Sequence, residues 1–232
     1  MNDTLSFMQT APEYRSRDYH KLTFSMMYFY DEHFLLPFSH DEVAHGKATI
    51  VQKMNGEYAD KFAQAKTLYL YMYTHPGKKL NFMGNEIGQM REWDEKKEQD
   101  WNLLKYPTHD SFAHFMKDLN HIYLKNAALY EQDYERDGFE WVDCQMESAC
   151  LYAYRRKGKN QHLLVILNFS DEAKDYSFRI DQAENCELLF STDAEKYGGK
   201  ALTKIHQHGN KVEVSLAPFS SHILGFHDTI YK

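Results

Sequence analysis

Hydrophobic positions change their period about halfway along the chain. Phe34-Leu35-Leu36-Pro37-Phe38 is a short apolar run that stops at Ser39-His40-Asp41-Glu42, the pattern of a strand buried on both faces. Between residues 60 and 74, Phe62, Ala65, Leu68, Tyr69, Met72 and Tyr73 recur at helical spacing, and Pro76-Gly77 stops the helix. Lys79-Leu80-Asn81-Phe82-Met83, ending at Gly84, predicts a second strand. Phe112, Phe115, Met116, Leu119, Ile122 and Tyr123 predict a second amphipathic helix. The order strand, helix, strand, helix implies parallel pairing through a right-handed crossover. The loops at residues 39–47 and 84–93 therefore leave the same edge of the sheet, where α/β folds bind ligands.

Beyond the middle the helical period disappears. Residues 139–142, 149–155, 163–169, 187–190 and 211–216 read as short strands. Turn-rich stretches such as Lys157-Gly158-Lys159-Asn160, Asn168-Phe169-Ser170-Asp171 and Tyr197-Gly198-Gly199-Lys200 separate them. This spacing predicts an antiparallel β-sandwich, with the boundary near residues 126–137. The expected organisation is an α/β part over residues 1–126 followed by an all-β domain over residues 127–232.

Charge narrows the partners. With 27 Lys plus Arg against 34 Asp plus Glu, the net charge of −7 disfavours nucleic acid, whose phosphates need a basic face. No apolar run reaches the roughly 20 residues that span a bilayer, and Met1-Asn2-Asp3-Thr4 lacks a signal-peptide pattern, so a cytoplasmic protein is expected. Cys144, Cys150 and Cys186, an odd set without a CxxC, fit free, buried thiols in a reducing compartment. The 17 Tyr, 15 Phe and 3 Trp raise the aromatic share to 15%. Aromatic faces fill cores, but they also stack on sugar rings or nucleobases, and the acidic charge leaves sugar as the better candidate.

The loop His40-Asp41-Glu42-Val43-Ala44-His45 holds two histidines and two carboxylates. A zincin helix needs its histidines at i and i+4, whereas these are five apart, roughly 140° around a helix, so no metal or other cofactor is expected. The H-x-E start of a zinc deaminase is present, but no P-C-x-x-C follows. Two readings remain: Asp41 and Glu42 cap the segment after the strand, or His40 and Asp41 stand over a binding pocket at the strand's carboxyl end. There is no G-x-S-x-G, P-loop or dinucleotide fingerprint to supply rival chemistry.

A set of ordered motifs carries a family resemblance. Leu36-Pro37-Phe38-Ser39-His40-Asp41-Glu42-Val43, His45-Gly46-Lys47, Pro76-Gly77-Lys78-Lys79-Leu80, Phe82-Met83-Gly84-Asn85-Glu86, Arg91-Glu92-Trp93 and Asp100-Trp101 resemble the glycogen branching enzymes of the α-amylase superfamily. The resemblance runs from Met1-Asn2-Asp3-Thr4-Leu5 to Leu216-Ala217-Pro218-Phe219-Ser220, which is similar to the family's closing strand. Ala44, Ile87 and Gly88 depart from the expected Val, Phe and Ala.

The resemblance implies the last strands and helices of a (β/α)8 TIM barrel followed by the C-terminal sandwich. It also implies a retaining transglycosylase of glycogen synthesis, which cleaves α-1,4-glucan and rejoins the segment by an α-1,6 bond. By its His-Asp motif, Asp41 takes the role of the carboxylate that supports the oxocarbenium-like transition state, and His40 that of its hydroxyl-binding neighbour. Arg91, Glu92, Trp93 and Trp101 correspond to the loop on the acceptor side. The family's nucleophile and acid/base segments have no counterpart here, so the chain alone is expected to be inactive. Its expected partner is an α-glucan, and an incomplete barrel with open edges invites self-association.

Two other readings stay open: a non-catalytic glucan-binding or structural remnant, and a fragment of an α-amylase-family hydrolase. Lys47 and His45 are candidate hydroxyl ligands, Asn85 and Glu86 candidate supports, and Trp141, Tyr152 and Tyr154 form either sandwich core or a second sugar platform.

Overall fold

The computed structural model describes residues 1–144, 149–180 and 184–228. Helix α1 (Asn2–Gln9) buries Leu5, Phe7 and Met8 and is followed by the one-turn helices α2 (His20–Thr23) and α3 (Ser25–Tyr28). Then come β1 (Leu35–Phe38), α4 (Ile50–Lys53), α5 (Tyr58–Thr74), β2 (Lys78–Asn81) and α6 (Pro107–Lys125). Thr49 and Gln52 close a reciprocal capping box on α4, and Pro107 opens α6 at a position whose N–H has no helical partner anyway. β1 and β2 pair in parallel from Leu35↔Lys78 to Phe38↔Asn81, with α5 as the crossover, as the sequence order implies.

Burial of β1 differs from expectation. Leu36 and Phe38 are buried, but Leu35 and, on β2, Leu80 are exposed at 57% and 37%. Alternate side chains point to opposite faces, and no described element covers the second one.

The helical part gives way to strands between Lys125 and Phe139, through turns at Ala127–Leu129 and Arg136–Gly138. Strands β3 (Phe139–Asp143), β4 (Leu151–Lys157), β5 (His162–Asn168), β6 (Lys174–Arg179), β7 (Glu184–Ser191), β8 (Lys204–His208), β9 (Lys211–Leu216) and β10 (Ser221–Asp228) form two antiparallel sheets. Their orders are β3-β4-β5-β10-β7 and β6-β9-β8. The expected closing strand at residues 216–220 is instead the end of β9 and the turn into β10, which carries the closing role.

The five-stranded sheet lies between two layers. Leu163, Val165 and Leu167 join Tyr69, Phe115 and Tyr152 in one core with the helices, whereas Leu164, Ile166 and Leu151 meet Val212, Val214 and Leu216 of the small sheet. This explains why 163–167 is an unbroken apolar run: both of its faces are covered. The first core is continuous from α1 through α5 and α6 into β10.

Buried polar groups stitch the seam between helices and sheet. Arg156, fully buried, donates to Thr74 O at 2.6 Å, to Gly138 O at 3.2 Å and to Asp133 Oδ1 at 2.9 Å. Arg15, also fully buried, donates to Phe169 O at 2.8 Å, Met8 O at 2.9 Å and Thr10 O at 3.0 Å, and to Gln64 Oε1. Thr67 Oγ1 donates to Phe219 O at 2.6 Å, and Lys66 Nζ to Tyr197 O at 2.8 Å. Burial lowers the Lys66 ammonium pKa to about 8.

Candidate functional site

The loops after β1 and β2 meet, as parallel pairing requires. His40, Asp41 and Glu42 form a single 3-10 turn immediately after β1; Ser39 at its start makes no side-chain capping bond, and Asp41 and Glu42 stand in its first turn, where negative charge suits the exposed N–H groups. Asp41 is exposed and stands 3.4 Å from His40 Nε2 through its Oδ1, with side-chain exposures of 71% and 54%. The His40 ring lies 5.7 Å from Phe82 and 6.3 Å from Trp93, and those two meet edge to face at 5.1 Å. An imidazole and a carboxylate are thus presented to solvent above a half-buried aromatic pair.

The turn is held by backbone contacts. Trp93 N–H donates to Val43 O at 2.9 Å, joining the two loops. Glu92 accepts from Gly46 N–H at 2.8 Å and Ala48 N–H at 2.7 Å, and these two bonds hold its carboxyl below the ordinary range. The loop it clamps runs through left-handed backbone at His45, Gly46 and Ala48. Lys47 Nζ donates to Asp41 O at 2.7 Å, so this lysine tethers the turn. Lys53 Nζ donates to the carbonyls of Lys47 at 2.6 Å, Ala48 at 2.7 Å and Glu42, and burial lowers its pKa.

The second loop is built as tightly. Gly84 has φ +90°, and a Cβ there would lie 2.6 Å from Gln99 Oε1. Gly88, where Ala is expected, has φ +63° and leaves 2.7 Å to Phe62, so in this chain the position demands glycine. Arg91 Nη2 pairs with Asp100 Oδ1 at 2.9 Å and donates to Glu98 O at 2.7 Å, fixing the far side of the loop. Asn85 Nδ2 reaches Asn81 Oδ1 at 3.2 Å and Phe38 O at 3.4 Å, bracing the strand ends. Trp101 is half exposed on the turn that follows Asp100.

His40, Asp41, Glu92 and Trp93 are therefore gathered at one place, while Arg91 and Trp101 occupy the adjoining loop. Signals that sequence reasoning passed over include the Glu92 clamp and the Lys47 tether, both made to backbone atoms. Tyr152 and Tyr154 are buried, with Trp141 edge-on to Tyr154 at 5.4 Å, which removes the second sugar platform. Of the cysteines, Cys150 is buried, but Cys144 and Cys186 are half-buried. A cavity of about 960 Å³ is walled by Phe62, Lys66, Phe112, Tyr197 and Phe219, and no residue of the two loops lines it.

Comparison with known proteins places the chain. Residues 141–226 match the family model described as the alpha amylase C-terminal all-beta domain. Three 1,4-alpha-glucan branching enzymes align with nearly all of it. That of Oceanobacillus iheyensis is 43% identical over 90% of this chain, that of Aquifex aeolicus 42% over 93%, and that of Bacillus cereus strain G9842 39% over 97%. The chain corresponds to the C-terminal part of the 1,4-alpha-glucan branching enzymes. It spans 33% to 37% of the length of these branching-enzyme relatives. Among solved structures, an alpha-amylase from H. orenii overlays 97% of this chain and 47% of its own at a TM-score of 0.62 and 17% identity. A Nostoc punctiforme debranching enzyme overlays 96% and 46% at 0.64 and 16%. At these identities the likeness is one of fold.

Proposed function

We propose that the chain is the C-terminal portion of a glycogen branching enzyme, in which β1, α5, β2 and α6 are the last units of a (β/α)8 barrel over residues 1–126. Residues 127–232 are then the sandwich domain. The observation that carries this reading is the solvent-facing His40–Asp41 pair at the carboxyl end of a parallel strand, above the Phe82–Trp93 rings. Asp41 accepts hydrogen bonds from sugar hydroxyls. Those bonds strengthen as positive charge develops on the ring, so they favour the transition state over the ground state. His40 binds a neighbouring hydroxyl. Trp93 supports the ring of His40, Glu92 and Arg91 set the loops, and Trp101 offers an aromatic face on the acceptor side. The substrate is an α-1,4-glucan, and the setting is cytoplasmic glycogen synthesis.

Retaining transfer needs two carboxyl groups about 5 Å apart across the scissile bond. Glu92, beside the pair, is already committed to two loop amides. The isolated chain is thus a glucan-contacting part without turnover, which favours the binding reading for the chain by itself. The bare face of β1 and β2, with Leu35 and Leu80 exposed, is where the rest of a barrel or a second copy of the chain packs. Amylose incubated with the purified chain tests this by iodine absorbance and reducing-end release. No change in either is expected, and branching or hydrolysis would overturn the reading.

A further inference from the structure

The turn joining β4 to β5, Lys157-Gly158-Lys159-Asn160, plays no part in the glucan reading. It forms one wall of a cavity of about 670 Å³ at the end of the sandwich. The opposite wall comes from the other sheet, from Arg179 at the end of β6, Ile180, and Asn210 in the turn between β8 and β9. Ile180 N–H donates to Asn210 O at 2.9 Å, holding those two segments together. Four basic side chains therefore border one hollow, Arg155, Lys157, Lys159 and Arg179, in a chain whose net charge is −7. His162 adds an imidazole whose ring stacks on Phe226 at 5.0 Å.

Among the described residues, Glu140 and Glu131 pair with these cations. Glu140 lies 2.6 Å from Lys157 and 3.9 Å from Arg155. Glu131 is 3.8 Å from Lys159 Nζ and accepts its backbone N–H at 2.9 Å. Asn160 and Asn210 bring carboxamides that donate or accept.

We propose that this cavity binds a phosphate monoester carried on a sugar. A phosphate at neutral pH brings close to two negative charges, which suits a hollow where, among the described residues, four cations stand against two carboxylates. The planar forks of Arg155 and Arg179 suit its oxygens. The volume falls within the roughly 300–1,000 Å³ of small-ligand sites and leaves room for a sugar ring on the asparagine side. The ester has two sources, a free sugar phosphate or a phosphorylated glucan chain. The cavity is on the sandwich and uses none of the residues around Asp41, so this proposal and the glucan reading fail independently.

Isothermal titration of the full chain at low salt tests it with inorganic phosphate, glucose 6-phosphate, phosphorylated maltodextrin and unphosphorylated maltodextrin. Saturable binding of the phosphorylated ligands is expected, weakening as salt rises. Arg179→Gln is expected to weaken it about tenfold through one lost charge-assisted contact. Lys159→Gln, on an exposed turn where folding is not at stake, weakens it less, and Lys105→Gln, at the exposed end of the turn that begins at Trp101 and outside the cavity wall, leaves it unchanged. Tighter binding of glucose 6-phosphate than of the phosphorylated dextrin identifies a free sugar phosphate, and the reverse identifies a glucan ester. Absence of saturable binding, equal loss in Lys159→Gln and Lys105→Gln, or equal binding of unphosphorylated maltodextrin would overturn the proposal.

Discussion

The seam between helices and sheet and the loops above β1 both concentrate charged side chains, and they use them oppositely. At the seam, Arg15 and Arg156 are fully buried and spend their donors on protein acceptors. At the loops, Asp41 and His40 face water, and the work of holding the turn passes to Glu92, Lys47 and Lys53, which bind backbone. Where polar atoms are all committed to the fold, removal costs stability. Where neighbours support an uncommitted pair, removal is expected to cost the proposed glucan binding instead.

The sharpest way to break this contrast is at Arg156. Arg156→Met removes the bonds to Thr74 and Gly138 and leaves Asp133, 1% exposed, without its closest cation, so a loss of about 3–5 kcal/mol is expected in urea unfolding. Acid gives the next largest effect. His75 and His222 are buried with their pKa values pushed down to about 3 by desolvation, from an ordinary 6.5. Between those values the unfolded chain binds more protons. Stability is therefore full above about pH 6.5 and falls as pH drops toward 3, by about 2–3 kcal/mol at about pH 5.5 for the two together. Unfolding midpoints measured across that range check the sign. Thr67→Val deletes the bond to Phe219 O and is expected to cost about 1–2 kcal/mol in the same assay.

Changes at the loops sharpen the other side. The Glu92 carboxyl is lowered by the amides of Gly46 and Ala48, so its clamp is complete above the ordinary carboxylate range and is lost as pH falls through the lowered value. The amide shifts of Gly46 and Ala48 should move together over that acid limb, and Glu92→Gln should abolish the transition. Asp41→Asn is expected to change stability by less than about 0.5 kcal/mol, because the side chain is exposed.

Much of this division was legible in the residues. The strand–helix–strand order and the meeting of the two loops follow from hydrophobic period alone, and His40–Asp41 stands out because it interrupts an apolar run. The strands β6, β8 and β10 carry no clear strand signal in the residues. Lys174-Asp175-Tyr176-Ser177-Phe178-Arg179 and Lys204-Ile205-His206-Gln207-His208 have one polar face each, and β10 opens on Ser221-His222, whose burial depends on its neighbours. The buried arginines are equally hidden: a lone cation, in the 3-10 turn of Arg15 or the strand of Arg156, reads as a surface residue until its partners, up to 154 positions away, are known. The Glu92 clamp joins residues 44 and 46 positions apart through backbone N–H groups, which every residue type but proline supplies, so no motif announces it.

Co-sedimentation of the purified chain with glycogen, wild type against Asp41→Asn with the unfolding midpoint measured on the same samples, tests the separation of roles most directly. The account predicts that the variant loses most of its glycogen binding while its midpoint stays in place. Undiminished binding, or a loss of binding that comes with a lowered midpoint, would contradict it.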